Sequence, residues 1–465
     1  MEHLNKKITY PYIPNSVKEI KQEMLEEVGA KDAAELFKSI PEHLRIKGSL
    51  NLPKAKVSEI ELKEFIQSKL NENQSCEEYI NFLGAGCYNH YVPAVCDEIN
   101  GRSEFLTAYC GETYSDHGKC QAIFEYTSLI GELVDMDVVG LATYDGGQSA
   151  GTAIRMAYRL TGRKEVLLSE NISSQLMMQL EEYCDFMNLI KVNIDKTTGN
   201  IDINDLKRKI SQNTACVFIE NPSYLGTIEE NSEKIGKIAK ENGAEYIVSV
   251  DPSSLGVLEA PSNYGADIIC GELQPLGIHM GYGSGLGGIL ACRDEEKYIM
   301  NLPNHFYSLY ENEKGEFGFL RSINSRTSYH SREKAVEYLG TNVGLWAITA
   351  AVYLSLMGPE GMYELGRNIL YISNYAKKKL SQIKGIDVKF KEGSIFKEFV
   401  VNFDKSGKTV KEVNKKLLNK KIFGGKDLSN EFESLGQSAL YCVTEKTKKE
   451  DIDKLVKELD LILNS

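Results

Sequence analysis

Glu245-Tyr246-Ile247-Val248-Ser249-Val250-Asp251 is a short aromatic and β-branched run that ends in a carboxylate. Such a run reads as a buried parallel strand whose last residue faces a ligand at the carboxyl edge of a sheet. A second run, Ala266-Asp267-Ile268-Ile269-Cys270, leads into Gly271-Glu272-Leu273-Gln274-Pro275-Leu276-Gly277. Around both lies a gap in an otherwise lysine-rich chain, since no lysine occurs between Lys240 and Lys297. Buried strands exclude lysine because an ammonium is costly to desolvate, which accounts for part of the gap. Burial would not, however, remove a lysine that did chemistry.

Working outward, further short apolar runs fall at 138–143, 166–168, 189–192, 216–219 and 288–291, most of them separated by helical stretches such as 150–160. Strand-helix alternation on this scale predicts a largely parallel sheet covered on both faces. Two strand ends carry turns of note. Asp145-Gly146-Gly147-Gln148-Ser149 joins a strand to a helix, where free amides and the helix dipole favour a phosphate. Glycine is also common in such turns simply for its backbone freedom. Glu220-Asn221-Pro222-Ser223-Tyr224-Leu225-Gly226 follows another strand, and is either an ordinary proline turn or one that aims the Asn221 amide at a ligand.

The order glycine-rich turn (Gly146, Gly147, Ser149), Asn-Pro turn (Asn221) and strand-end Asp251 is that of a fold-type I pyridoxal-phosphate enzyme of the aspartate aminotransferase type. There the aspartate pairs with the pyridinium nitrogen, and a lysine about two dozen residues later forms the internal aldimine. Here the residue at that distance from Asp251 is Gln274, whose amide cannot form an imine. The pattern predicts a pyridoxal-enzyme scaffold that does not hold its own cofactor covalently.

Composition sets the outer bounds. A chain of 465 residues exceeds one ordinary core. The reading is an N-terminal helical arm over 1–75, a large α/β domain over 76–357 and a small α+β domain over 358–465. In the arm, Ser16-Val17-Lys18-Glu19 carries a capping-box signature, and Ser58-Glu59-Ile60-Glu61 opens a second helix. In the small domain, strands are expected at 386–390, 399–403 and 440–443, with helices at 371–380, 410–418 and 449–463. A net charge of −12 argues against a nucleic-acid partner. No signal-peptide core and no bilayer-length apolar stretch are visible, so a cytoplasmic location is expected. Ten cysteines and seven histidines show no metal-ligand spacing. The thiols read as small buried hydrophobes in a reducing compartment, Cys110 and Cys120 in a polar loop being the two with scope for reactivity.

Asn81-Phe82-Leu83-Gly84-Ala85-Gly86-Cys87-Tyr88-Asn89-His90-Tyr91-Val92-Pro93-Ala94-Val95 resembles a motif of glycine decarboxylase, the P-protein of the glycine cleavage system. So do Thr107-Ala108-Tyr109, Gln121-Ala122-Ile123-Phe124-Glu125, Thr143-Tyr144-Asp145-Gly146, Gly271-Glu272-Leu273-Gln274-Pro275-Leu276-Gly277-Ile278 and Gly340-Thr341-Asn342. The resemblance covers nearly the whole chain and is to the N-terminal half of that protein, which many bacteria make as a separate subunit 1. It implies a lysine-free subunit, inactive alone, that completes the pocket of a homologous subunit 2 carrying the pyridoxal phosphate. The implied reaction is decarboxylation of glycine with transfer of the aminomethyl group to a lipoylated H-protein, and the implied assembly is a heterotetramer. Pocket candidates that it suggests are Asn89, His90, Tyr91, Tyr109, Tyr114, Arg326 as a carboxylate partner, and Asn342. His90 reads equally as a hydrogen-bonded structural residue, and Arg326 as a surface ion-pair former.

Three departures from the family pattern stand out. The loop from Cys110 to Cys120 is about one residue shorter, the helix after Gly146 lacks a usual glutamate, and Val336-Glu337-Tyr338-Leu339-Gly340 replaces small and polar residues. They keep open a paralogous subunit acting on another amino acid or carrier, and a non-catalytic protein that retains the enzyme fold.

Overall fold

The computed structural model describes residues 11–48, 50–106, 119–283, 285–303, 306–322, 325, 328–336 and 343–464. The chain divides into two compact units, Met1–Gln74 and Ser75–Ser465.

The second unit is built on a seven-stranded sheet: β1 (Val138–Val139), β2 (Glu165–Ser169), β3 (Asn188–Val192), β4 (Thr214–Asn221), β5 (Glu245–Val250), β6 (Ile268–Glu272) and β7 (Gly288–Cys292). Their spatial order is β1-β7-β6-β5-β4-β2-β3. The pairs from β3 across to β6 are parallel, and β7 lies antiparallel to both β6 and β1. All seven sequence-predicted strands are present, and β-branched residues fill both faces. Along β4, Val217 and Ile219 enter one core while Cys216 and Phe218 enter the other; along β5, Tyr246 and Val248 oppose Ile247 in the same way. Each such side chain, buried in full, contributes about 1.5–3 kcal/mol of transfer free energy, so the central strands anchor the domain.

The helix Gly146–Thr161 starts on the Asp145 side chain, which accepts the Gln148 amide at 2.7 Å, and ends at Gly162. Its Ala150, Ala153, Ile154 and Ala157 form the stripe that packs on the sheet. Small side chains there let the helix N-terminus come close to the end of β6. A Cβ on Gly146 would lie 3.1 Å from the Glu272 Cβ and 3.3 Å from its amide nitrogen, tighter than ordinary van der Waals contact, so the glycine eases that approach.

A hairpin of β8 (Phe306–Glu311) and β9 (Phe317–Ser322), not read from the sequence, packs on the helix Lys119–Val134, with Phe319 against Phe124. The helix Gly344–Leu380 then runs through an interruption at Gly358-Pro359 into the C-terminal part of the same unit, which has a buried core of its own and is termed the small domain below, the part before it being the large domain. That domain has four antiparallel strands, β10 (Asp387–Val388), β11 (Glu398–Asn402), β12 (Lys426–Asp427) and β13 (Ser438–Cys442), in the order β10-β11-β13-β12. The expected strand at 386–390 is shorter than predicted, because Phe390 takes a left-handed conformation (φ 53°) that ends it. The helix Val410–Leu418 begins on a capping box of Thr409 and Glu412. Between the two domains, Gly226 (φ 86°) presses against the Glu398 carbonyl so closely that no Cβ could be accommodated.

In the first unit the helices Lys18–Glu27, Ala33–Leu36 and Glu59–Leu70 bury none of their residues. Ser58 caps its helix as expected by accepting the Glu61 amide. Ser16 does not: the preceding helix starts with Val17 at its N-cap and no side-chain cap, because it begins one residue later than the signature implies.

Candidate functional site

The carboxyl ends of β4, β5 and β6 bring Glu220, Asp251 and Glu272 to one sheet edge, as the strand pattern demands. They line a cleft of about 440 Å³, together with Tyr88, Gly146 and Tyr224. The segment from Gly84 to Tyr91 crosses this cleft as a strap. It leaves the small domain, where Ile80 and Asn81 pair in parallel with Ile422 and Phe423, and enters the large one.

At the lysine position, Gln274 is buried and its amide is fully used. Its Oε1 accepts the Tyr88 amide at 3.0 Å, while Nε2 donates to the Tyr88 carbonyl and to the Ile278 carbonyl, both at 2.9 Å. An amide offers a donor and an acceptor to one backbone residue as a neighbouring strand would; a lysine could supply only donors. The glutamine therefore works as a backbone clamp on the strap.

Asp251 is likewise occupied. Its Oδ1 accepts the Ser253 amide (3.0 Å) and hydroxyl (2.7 Å), and its Oδ2 lies 2.5 Å from Lys397 Nζ. Lys397 is 1% exposed and precedes β11 of the small domain. Its ammonium sits 3.6 Å from the centroid of the Tyr88 ring and donates to His90 Nε2 at 3.0 Å. Burial is the largest influence on the Asp251 carboxyl and would raise it, but the Lys397 ammonium and the other groups around it, the Ser253 hydroxyl among them, together hold it below the ordinary carboxylate range. Burial and the same ammonium lower His90, against the pull of Glu445. The imidazole is thus neutral, with Nδ1–H donating to Glu445 Oε2 at 2.7 Å and Nε2 accepting from lysine.

Glu272 occupies the glycine-rich turn. Its Oε2 accepts the Gly146 amide at 2.8 Å, and Oε1 accepts those of Gly287 (2.9 Å) and Gln274 (3.1 Å). Burial pushes its carboxyl up to about 7 against these three donors. Ser149 is turned into the core, its hydroxyl donating to the Ile289 carbonyl, and the Gly147 Cα faces Gln179.

Other candidates separate clearly. Asn221 is turned away from the cleft: its Nδ2 donates to Ser232 (3.1 Å) and Tyr264 (3.3 Å), and its Oδ1 accepts the Glu229 amide. It braces the turn instead of presenting its amide to a ligand. Asn89 accepts from Lys446 at 3.2 Å, and His90 is locked as above, so of the three motif residues Tyr91, 60% exposed, presents its side chain outward. Tyr109, Tyr114, Arg326 and Asn342 lie outside the described residues, as does Cys110. Cys120 is buried at the start of its helix, and burial pushes its thiol up, contrary to the reactivity its loop setting suggested.

Sequence reading missed Lys397, Glu398, Glu445 and Glu220. Glu398 accepts the Ala85 amide (2.7 Å) and the Tyr88 hydroxyl (3.0 Å), so it fastens the strap from the small domain. A signal existed: Lys397-Glu398 stands directly before the apolar run Phe399-Val400-Val401, where a charged pair is unusual without partners. Glu220, one residue before the end of β4, has a buried Oε2 with no partner among the described residues, and burial pushes its carboxyl up to about 8.

Pyridoxal phosphate does not fit these residues. The imine-forming position is an amide, the strand-end aspartate is ion-paired, and the turn amide is capped by a carboxylate. Among the described residues no cluster of histidine, cysteine and carboxylate groups could hold a metal ion, and no helix is long and apolar enough to cross a membrane.

A family model described as glycine cleavage system P-protein matches residues 10–459. A protein of Staphylothermus marinus named probable glycine dehydrogenase (decarboxylating) subunit 1 is 38% identical, over 98% of this chain and 99% of its own length. One of the same name from Pyrococcus furiosus is 38% identical, over 97% and 99% respectively. Among solved structures, a glycine decarboxylase P-protein in inhibitor-bound form superposes with a TM-score of 0.81 at 28% identity, covering 98% of this chain and all of that one. A NifS-like protein of Rickettsia africae, 13% identical with a TM-score of 0.63 over 83% of this chain, shares the fold alone.

Proposed function

Because the chain belongs to the glycine cleavage system P-protein family and has the fold-type I architecture, we propose that it is the subunit 1 of a two-chain glycine decarboxylase, the subunit that holds no cofactor. The observation that carries this reading is Gln274 at the lysine position, its amide fully committed to Tyr88 and Ile278. Pyridoxal phosphate then resides on a lysine of a homologous subunit 2, where it stabilises the negative charge that develops as a bound amino acid loses CO2. The naming of the relatives as a subunit 1 supports a second chain.

In this reading the chain itself supplies walls and polar contacts to the partner's pocket. Tyr91, exposed at the end of a strap clamped by Gln274 and Glu398, is the described residue best placed to serve; Tyr109, Tyr114, Arg326 and Asn342 are further candidates from the family motifs. Glycine is the substrate, a lipoylated H-protein the acceptor, a heterotetramer the assembly and the cytoplasm the location.

The test is co-expression with a lysine-bearing homologous chain from the same genome. The pair should co-purify and catalyse glycine-dependent exchange of CO2 when the lipoylated carrier is present, and this chain alone should not. Exchange by the partner alone at the full rate would overturn the reading in favour of a non-catalytic role, and turnover of a different amino acid would replace glycine.

A further inference from the structure

We infer that Lys397 and Glu272 stand in for the two charged ends of the missing cofactor, closing the cleft to pyridoxal phosphate and converting it into a clasp that joins the large and small domains. The inference concerns the chain's own cleft and holds whatever amino acid the assembled enzyme uses. A pyridoxal phosphate brings a cationic ring nitrogen to a strand-end aspartate and a phosphate to amides at a helix start. In this chain a cation already meets the aspartate, since Lys397 Nζ is 2.5 Å from Asp251 Oδ2. The same ammonium lies over the face of Tyr88, 3.6 Å from the ring centroid. At the other end a carboxyl group already meets the helix start, since Glu272 accepts the Gly146 amide at 2.8 Å.

Each replacement comes from an element with its own anchors. Glu272 is also held by the Gly287 and Gln274 amides, at 2.9 and 3.1 Å. Lys397 reaches across from the small domain, and behind it His90 and Glu445 extend the chain of hydrogen bonds. Glu445 also accepts the Tyr91 amide at 2.6 Å, so the clasp ends on the exposed tip of the strap. Asp251 belongs to the large domain and Lys397 to the small one, so their pairing fixes how the domains meet. A buried pair is demanding to break by halves: loss of one partner strands the other charge, while loss of both does not. The strap is consequently set in place by the polypeptide itself, with no small molecule required.

Two measurements on the full-length chain test this. First, a thermal-melt cycle compares Lys397→Met, Asp251→Asn and the double variant. Each single change should lower the melting temperature by about 4–6 °C for a unit of this size, and the double variant should recover at least half of the summed loss. Losses that simply add in the double variant would overturn the clasp. Should one single variant fail to fold, a folded double variant supports the pairing and an unfolded one counts against it. Second, pyridoxine 5′-phosphate, which cannot form an imine, and inorganic phosphate are titrated into the native chain and into Glu272→Ala. The native chain should show no saturable binding of either, and the variant should gain a saturable phosphate-dependent rise in melting temperature. Saturable binding of pyridoxine 5′-phosphate to the native chain, or an equal response of both proteins to phosphate, would overturn the substitution by Glu272. Neither measurement uses glycine or the partner chain, so a failed exchange assay and a failed clasp remain distinct results.

Discussion

Asp251 and Glu220 stand near the ends of neighbouring strands on one sheet edge, line one cleft, and are in opposite states. Asp251 has an ammonium and two serine donors, and is held below the usual carboxylate range. Glu220 has a buried oxygen without a partner among the described residues, is pushed up to about 8, and so carries its proton at neutral pH. Burial opposes ionisation at both, and the partners decide the outcome. The Asp251 side is filled by an ammonium of the chain's own, whereas among the described residues Glu220 meets only the Tyr224 amide.

The largest expected effect on this contrast comes from Gln274→Ala, which would leave the Tyr88 amide and carbonyl and the Ile278 carbonyl buried without partners. A loss of about 3 kcal/mol follows, to be read from denaturant midpoints; a loss under about 1 kcal/mol would show that the clamp is incidental. Gln274→Lys sharpens the point. With Asp251 and the Gly146 amide still occupied, the variant should acquire no aldimine absorbance with pyridoxal phosphate and no phosphopyridoxyl label at position 274 after borohydride reduction.

A smaller effect is expected from pH. Glu272 and Glu398, both raised to about 7 by burial, and Glu220 at about 8 bind protons more tightly in the folded chain than when unfolded. Between roughly pH 4.5 and 8 the folded state therefore holds more protons, and stability falls as pH rises through that window. Asp251, depressed, acts the other way: its contribution is lost only as pH falls through its lowered folded value. Glu220→Gln, which removes that proton uptake, should flatten the decline between about pH 4.5 and 8 and leave the variant more stable than the native chain at pH 8. A native and a variant curve that stay parallel across that range would remove Glu220 from the account. Least of all should happen with Tyr91→Ala, whose exposed ring adds little to stability. Its effect should be confined to the exchange reaction of the assembled pair, and an unchanged exchange rate would exclude Tyr91 from the partner's pocket.

How much of this was legible in the sequence follows from chain distance. The strands around Asp251 and Gln274 were readable because β-branched runs need only local pattern, and Asp251 and Gln274 were found from spacing within one stretch. Lys397 and Glu445 lie more than a hundred residues downstream, and nothing local says which buried charge they meet. Glu272 stood inside the motif, yet a glycine-rich turn was read as having free amides, because its cap arrives from another strand. The hairpin Phe306–Ser322 escaped for a different reason: only one of its faces packs, and Leu309, Tyr310 and Phe317 are exposed, which blurs the alternation. In the arm, the apolar spacing correctly marked helices, but the cap at Ser16 depended on a helix start that shifted by one residue.

The pairing of Lys397 with Asp251 also bears on how such a chain can change over generations. Recovering a cofactor site would take at least three substitutions, at Gln274, Lys397 and Glu272. A step that removed Lys397 alone would strand a buried charge at a cost of about 3–5 kcal/mol, enough to expose the intermediate to degradation. Regaining the lysine alone would yield nothing that selection could see. With the clasp as inferred, single substitutions towards a cofactor site are each penalised or without effect, so the cleft is held in its present form as by a ratchet.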